Sequence, residues 1–319
     1  MIPAGLEILT VPSFILGILF LYKGSDILVD GTAKTAAQLG VSALIISVII
    51  VAFGTSAPEF AISVGAAAQN HGDISVGNII GSCIANLLLV LGASAIIKPI
   101  PINKSTIRRE MPIMIIVTIL LLFFSYFALL DRYHVIGGLL FLFLFVIFIL
   151  FFLRIAKKEK LPKVEYNKGE LQKNVVFIIL GIAGVIAGAQ LLIESSVTIA
   201  RFFGLSEIII ALSMVAIGTS LPELVVSVVA SYKDEADIAV GNVIGSNIFN
   251  IFLVLGAAAL LIPLNVAASF DYLLILLGVT LIMFPIVYTG NVISRKEGVF
   301  MLLFYVVFIW YTFFGYTII

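Results

Sequence analysis

Two carboxylates stand where an apolar chain can least accommodate them. Glu59 closes the hexapeptide G-T-S-A-P-E (54–59), and Glu223 closes G-T-S-L-P-E (218–223). The run before the first is "VSALIISVIIVAF", without a single charge, and "FAISVGAAA" follows it. Ionised carboxylates at bilayer depth are costly and usually mark an ion or proton pathway. Pro58 has no N–H, and its ring clashes with the carbonyl four residues back, at Gly54; Pro222 does the same to Gly218. Gly54 and Gly218 add backbone freedom at the same turn. The carbonyls around Ala52 to Thr55 are therefore expected to lose helical donors. At membrane depth such carbonyls are tolerated only beside protein, water or an ion.

Each hexapeptide thus offers carbonyls, two hydroxyls (Thr55 and Ser56; Thr219 and Ser220) and one carboxylate. That is an all-oxygen donor set, of the kind that hard cations such as Ca²⁺ take with roughly six to eight oxygens. Zinc or copper would ask for His or Cys. His71 and His134 fall in loops or at span edges, and the single cysteine, Cys83, reads as a small packing residue. A buried salt bridge would need a Lys or Arg nearby. Only Lys23 is a candidate, and Asp26 and Asp30 are its nearer partners in sequence. Downstream of each hexapeptide lies G-S-x-I-x-N, ending at Asn86 and Asn250. Ser82 and Asn86 are four apart and share a helix face, as do Ser246 and Asn250. These four read as polar lining of the same cavity. Two ionised glutamates carry −2, which one Ca²⁺ or two Na⁺ would neutralise; a third Na⁺ would leave a net positive charge.

The rest of the chain must hold these groups in a membrane. Of 319 residues, 62% are hydrophobic and 11% charged, with mean hydropathy +1.24 and net charge zero. Soluble domains run about 45–50% apolar and about 25% charged, so the composition marks a polytopic membrane protein and not a soluble domain, while the zero net charge says little about nucleic-acid or acidic partners. The first residues, "MIPAGLEILTVPS", lack the basic start of a cleavable signal, so the first apolar segment is expected to be retained. Ten apolar segments reach the roughly 20 residues a bilayer needs, near 8–31, 41–68, 75–97, 111–130, 134–156, 174–202, 207–231, 238–262, 270–289 and 298–318. Lys and Arg crowd the loops on one side. With the N-terminus outside, the cytoplasmic loops hold Lys34, Lys98, Arg108, Arg109, Lys157, Lys158, Lys233 and Arg295 among others, and the outer loops only Arg132 and Arg201. The positive-inside rule then places both termini outside and the 158–173 loop in the cytoplasm.

The chain is doubled. Residues 51–92 align without a gap on residues 215–256, so that Gly54 to Gly218 and Glu59 to Glu223 are the same step of 164 residues. GTSAPE pairs with GTSLPE, and SVGNIIGSCIAN with AVGNVIGSNIFN. An odd number of spans per half inserts the halves in opposite directions, the inverted repeat of secondary transporters with a site near midplane. The expected fold is therefore an all-α membrane protein. Its ten transmembrane helices form two inverted-topology five-helix repeats, with broken helices at the midplane. The N-terminal repeat is 1–157, the cytoplasmic linker 158–173 and the C-terminal repeat 174–319, with repeat motifs over 43–92 and 207–256.

At these paired motifs the sequence resembles the cation/calcium exchanger superfamily, and its prokaryotic, archaeal-type sodium/calcium exchangers most closely. The resemblance implies a secondary antiporter that exchanges Na⁺ for Ca²⁺ by alternating access, at about 3:1 and electrogenically. It implies that Ca²⁺ is held by Glu59 and Glu223 with backbone oxygens of Thr55 and Thr219. One Na⁺ site would use Ala52, Thr55, Ser56 and Ser82; its mate would use Ala216, Thr219, Ser220 and Ser246, both with the glutamates. Asn86 and Asn250 would line the middle position. Some relatives carry Asp where this chain has Asn250, from which no K⁺ requirement is expected. A proton-coupled Ca²⁺ antiporter is the alternative, with a cation channel behind it. No enzyme activity, no cofactor beyond the transported ions and no nucleic-acid partner are expected. The implied place is the cell membrane, where one chain suffices for transport in a lipid bilayer.

Overall fold

The computed structural model describes residues 4–159, 161, 167–204, 218–288 and 290–314. It is all-helical apart from one two-residue strand pair. Its elements in chain order are α1 (Ala4–Leu39), α2 (Ala43–Thr55), α3 (Ala57–Ala68), α4 (Gly72–Ile97), α5 (Met111–Tyr126), α6 (Leu129–Arg132), α7 (His134–Lys158), α8 (Lys168–Phe202), α9 (Leu221–Tyr232), α10 (Ala236–Leu261), α11 (Phe270–Tyr288) and α12 (Arg295–Phe314). Among the described residues, six helices are long and apolar enough to cross a membrane, and a seventh if the bent pair α2–α3 is one span. α5 has only 16 residues. α9 has 12, and residues 205–217 before it lie outside those described. α12 opens on three charged residues, Arg295, Lys296 and Glu297.

α4 and α10 form the centre. They are mostly buried, whereas α1, α7 and α8 bury about a quarter of their apolar windows and turn the rest outward. The contact between α2 and α10 is close because α10 presents glycines there. A Cβ on Gly245 would lie 2.6 Å from the Ala52 Cβ, and one on Gly241 2.8 Å from the Leu44 carbonyl.

The outer pair α1 and α8 runs antiparallel along a seam with a seven-residue step. Gly17 meets Gly188 and Leu192, Gly24 meets Gly181 and Val185, and Gly31 meets Asn174 and Ile178. Backbones touch directly: a Cβ on Gly24 would sit 2.7 Å from the Val185 nitrogen. Lipid tails give helices no hydrophobic reason to associate, so close van der Waals approach over small residues supplies the attraction.

The loops collect at two ends. At one, Ile100–Pro101 pairs antiparallel with Val292–Ile293. Lys98 pairs with Asp234 at 2.5 Å, and Lys233 bridges Asp26 (2.6 Å) and Asp30 (2.5 Å). The Leu161 N–H donates to the Gly40 carbonyl and the Ser42 N–H to Glu159. At the other end Asp131 accepts from the Val266 and Ala267 N–H groups, and the Leu264 N–H donates to the Leu130 carbonyl.

Candidate functional site

The two hexapeptides build the same local turn. Ser56 sits at φ −81°, ψ 6° and Ser220 at φ −84°, ψ 6°, each just before a helix with proline in its first turn. In the first copy the path bends by 47° there, between α2 and α3. Proline suits a helix start because its missing N–H is unpaired there anyway, so one segment ends and another begins inside the bundle. The expected release of carbonyls is narrower than the sequence suggests. Pro58 has no N–H to offer Gly54, but the Gly54 carbonyl still accepts a backbone N–H at the turn, and the Ala52 carbonyl keeps its helical partner, the Ser56 N–H at 3.0 Å. Gly54 has a second role, because a Cβ there would lie 2.6 Å from the Ile182 side chain of α8. Gly218 meets Ile193 of the same helix at 3.3 Å.

The turns bring their polar groups together. Thr55, Ser56, Glu59, Ser82, Asn86, Thr219, Ser220, Glu223, Ser246 and Asn250 are all buried. Ala52 and Pro222 are buried beside them, and Ala216 lies outside the described residues. The Ser82 hydroxyl donates to Glu59 Oε1 at 3.1 Å, and its mate Ser246 donates to Glu223 Oε1 at 3.2 Å. Ser56 also donates to Glu223, at 3.0 Å, whereas Ser220 turns to Ser82 at 3.1 Å. Asn250 donates to Ser82 at 3.2 Å. The hydrogen bonds thus gather Thr55 and Ser56 with Glu223 and Ser246, and Ser220 and Asn250 with Glu59 and Ser82.

Four oxygens remain after this accounting. Glu59 Oε2, Glu223 Oε2, Asn86 Oδ1 and Asn250 Oδ1 are buried without a hydrogen-bond partner. They come from two pairs of matched positions. Leaving buried acceptors unpaired costs about 1–3 kcal/mol each, more for charged groups. A cation is what a cluster of unpaired acceptors can hold.

Nearby bases do not serve the glutamates. Lys23 lies over the Tyr22 ring at 5.4 Å, and Asp26 and Asp30, its nearer partners in sequence, pair with Lys233 instead. The ion pair therefore joins residues 207 positions apart, beyond what sequence proximity could indicate. His134 holds the Ala259 carbonyl at 2.7 Å and His71 stands at the start of α4, both away from the glutamates. Among the described residues no group of three or more His, Cys, Asp or Glu side chains could hold a metal. The site's donors are mixed carboxylate, hydroxyl and amide oxygens, which favours hard cations over zinc or copper.

Two features were missed in the sequence. Asn78 and Asn242 lie one turn before Ser82 and Ser246 and are buried in the same network. Their signal was a Gly-Asn pair in both copies, at four-residue spacing from the serines. The second feature is a π turn beginning at each cavity asparagine, Asn86–Val90 and Asn250–Leu255. Such bulges frequently accompany functional sites, and no residue pattern announces them here. Cys83 is buried as expected and also meets its own mate, since the Asn247 amide donates to the Cys83 carbonyl at 3.2 Å. A crevice of about 230 Å³, lined by Phe53, Phe60, Phe249 and Leu253, reaches Ser56 from the flank.

Comparison with known proteins converges on one family. The model of the sodium/calcium exchanger protein family matches residues 9–154 and 173–314. Sodium/calcium exchanger MaX1 of Methanosarcina acetivorans is 33% identical, over 92% of this chain and 96% of its own length. Inner membrane protein YrbG of Escherichia coli K12 is 36% identical, over 82% and 84%. Among solved structures, the sodium-calcium exchanger NCX_Mj soaked with 10 mM Na⁺ and zero Ca²⁺ superposes with a TM-score of 0.84 at 34% identity, covering 94% of this chain and 98% of that one.

Proposed function

The chain belongs to the sodium/calcium exchanger protein family, and from that premise we propose that it is a secondary antiporter exchanging Na⁺ for Ca²⁺ by alternating access, and not an enzyme. The observation that carries the reading is the set of four unpartnered buried oxygens, on Glu59, Glu223, Asn86 and Asn250, where the two motif copies meet. Ca²⁺ is held by the Glu59 and Glu223 carboxylates with the Thr55 and Thr219 backbone oxygens. Na⁺ takes Ala52, Thr55, Ser56 and Ser82 on one side and Ala216, Thr219, Ser220 and Ser246 on the other, sharing the glutamates. With −2 on the site, about three Na⁺ against one Ca²⁺ moves one net charge, which couples exchange to voltage at about 2.3 kcal/mol per 100 mV.

The architecture belongs to the same proposal: two inverted five-helix repeats over 1–157 and 174–319, joined by 158–173, giving ten spans in the cell membrane. Lys34, Lys98, Lys233 and Arg295 all contact partners at one end of the bundle, which supports assigning that end to the cytoplasm and the termini to the outside. One chain carries a complete site and needs no cofactor. Asn250 brings no titratable group to the site, so exchange proceeds without K⁺.

The test is ⁴⁵Ca²⁺ uptake into proteoliposomes at clamped potential. Uptake follows an outward Na⁺ gradient, with or without K⁺. Uptake that ignores Na⁺ and follows a pH gradient would establish the proton-coupled alternative, and uptake down its own gradient alone would establish a channel.

A further inference from the structure

Asn78 and Asn242 each make the same three contacts, and together those contacts fix the direction of a proton. The Asn78 amide nitrogen lies 2.9 Å from the Ser63 hydroxyl and 3.5 Å from the Glu59 backbone carbonyl. Its Oδ1 lies 3.4 Å from the Thr219 hydroxyl. The Asn242 nitrogen lies 3.1 Å from Ser227 and 3.4 Å from the Glu223 carbonyl, and its Oδ1 2.9 Å from the Thr55 hydroxyl. A backbone carbonyl can only accept, so the NH₂ must face it, and Oδ1 must face the threonine. An amide oxygen can only accept in turn, so the threonine must donate its one proton outward. Its lone pairs are then left for the ion cavity.

We infer that Asn78 and Asn242 are positioning residues that hold the Thr219 and Thr55 hydroxyls as pure acceptors toward the transported cations. The inference rests on the exchange reading for the identity of those cations. Each asparagine takes its threonine from the other half of the chain: Thr55 reaches Asn242 across 187 residues and Thr219 reaches Asn78 across 141. Each also holds the backbone of its own repeat's glutamate, so one side chain sets two groups from opposite repeats. The rivals for the Thr55 proton are the Ala52 carbonyl at 3.4 Å, the Ser246 hydroxyl at 3.5 Å and the Glu223 carboxylate, and the Asn242 oxygen at 2.9 Å is nearer than either measured rival. The shorter Asn242 contact takes the proton while asparagine is present. Without Asn242 the proton turns to one of these rivals; on Ala52 it takes a second lone pair of a carbonyl that already accepts from the Ser56 N–H and is an expected Na⁺ ligand.

A double-mutant cycle tests this, read as the half-saturating Na⁺ and Ca²⁺ concentrations for exchange and as Ca²⁺ binding by calorimetry. Asn242→Leu raises both half-saturating concentrations about five- to tenfold, with the maximal rate nearly kept. Thr55→Val raises the same half-saturating concentrations. The double variant is no worse than the weaker single one, because the asparagine acts through the threonine. A purely structural asparagine gives losses that multiply, or a lowered maximal rate at unchanged half-saturation, and either result overturns the inference. Melting without added ion registers the structural loss separately. If Asn242→Leu does not assemble, the matched cycle of Asn78→Leu with Thr219→Val decides by the same criteria. The two readouts separate the two claims: an absence of Na⁺-driven uptake in the unaltered protein refutes the exchange reading, while multiplying losses in calorimetric Ca²⁺ binding refute the positioning role.

Discussion

Replacing one site carboxylate by its neutral isostere, Glu223→Gln, isolates charge from shape. The side chain keeps its volume, and its oxygen can still accept from Ser56 at 3.0 Å and Ser246 at 3.2 Å. The other terminal atom, which has no partner, becomes an NH₂ group. Two things then change. The site's charge falls from −2 to −1, so bound Ca²⁺ leaves +1 uncompensated at bilayer depth, costing about 2.5–3.5 kcal/mol on an insertion scale. At about 1.4 kcal/mol per decade, that alone weakens Ca²⁺ about a hundredfold. The new N–H groups also point a positive edge at the cation, which moves the loss in the same direction. Glu59→Gln should behave alike, since its contact to Ser82 matches in length. The assay is calorimetric Ca²⁺ binding together with Na⁺-driven ⁴⁵Ca²⁺ uptake. A variant that binds and exchanges Ca²⁺ within about threefold of the unaltered protein, a shift of well under 1 kcal/mol, would refute the assignment of these carboxylates to the cation.

Other substitutions probe the frame. Pro58→Ala returns an N–H to the Gly54 carbonyl and relaxes the 47° bend, so Ca²⁺ binding should weaken while the melting temperature holds or rises; calorimetry beside a melting curve checks both. Gly245→Val places a Cβ 2.6 Å from Ala52 and 2.9 Å from the Val48 carbonyl, and overpacking of this sort costs about 1–3 kcal/mol, visible as a lowered melting temperature. Gly65→Ala is the control: nothing lies within 4 Å of the added atom, so helix propensity should stabilise by up to about 1 kcal/mol with exchange unchanged. Lys233→Ala removes two partly exposed ion pairs to α1, and its cost in melting should stay within about 1 kcal/mol.

What the sequence made legible follows from how information is stored along it. The twin hexapeptides and their four serines and asparagines repeat at a fixed step, so self-comparison exposes them without any knowledge of packing. The α1–α8 seam is only half visible. Gly17, Gly24 and Gly31 keep a seven-residue step in the sequence, but nothing there says that Gly188, Gly181 and Asn174 face them. Lys233 was equally opaque, because its partners lie on α1 and only the folded chain brings them together. The π turns at Asn86 and Asn250 add one residue to a helical turn and leave the apolar pattern almost unchanged, so periodicity passes over them. Asn78 and Asn242 were in plain view, yet they meet the proposed site only through a threonine hydroxyl and a glutamate backbone carbonyl. Residue type alone marks such a group as another polar lining residue.

Sequence doubling does not make the two halves equal in the structure, and the departures separate two kinds of contact. Ser82 to Glu59 and Ser246 to Glu223 match within 0.1 Å, as do the two asparagine contacts to the glutamate carbonyls. A carrier whose halves exchange roles swaps the surroundings of each matched pair, so contacts that already obey the symmetry survive the swap. Those that break it must be remade. They are few: Ser56 reaches Glu223 while Ser220 reaches Ser82, and Asn250 reaches Ser82 while Asn86 holds Asn247 Oδ1 at 3.0 Å. The last difference has a cause in the sequence. Cys83 stands where the second half has Asn247, and a thiol offers no amide oxygen to hold Asn250 as Asn247 holds Asn86. Asn250 is left to turn inward, onto the serine that already serves Glu59. In the proposed exchange the remaking falls on hydroxyls and amides that need only rotate, Ser56 on Glu223 among them, while Ser82 stays on Glu59 and Ser246 on Glu223.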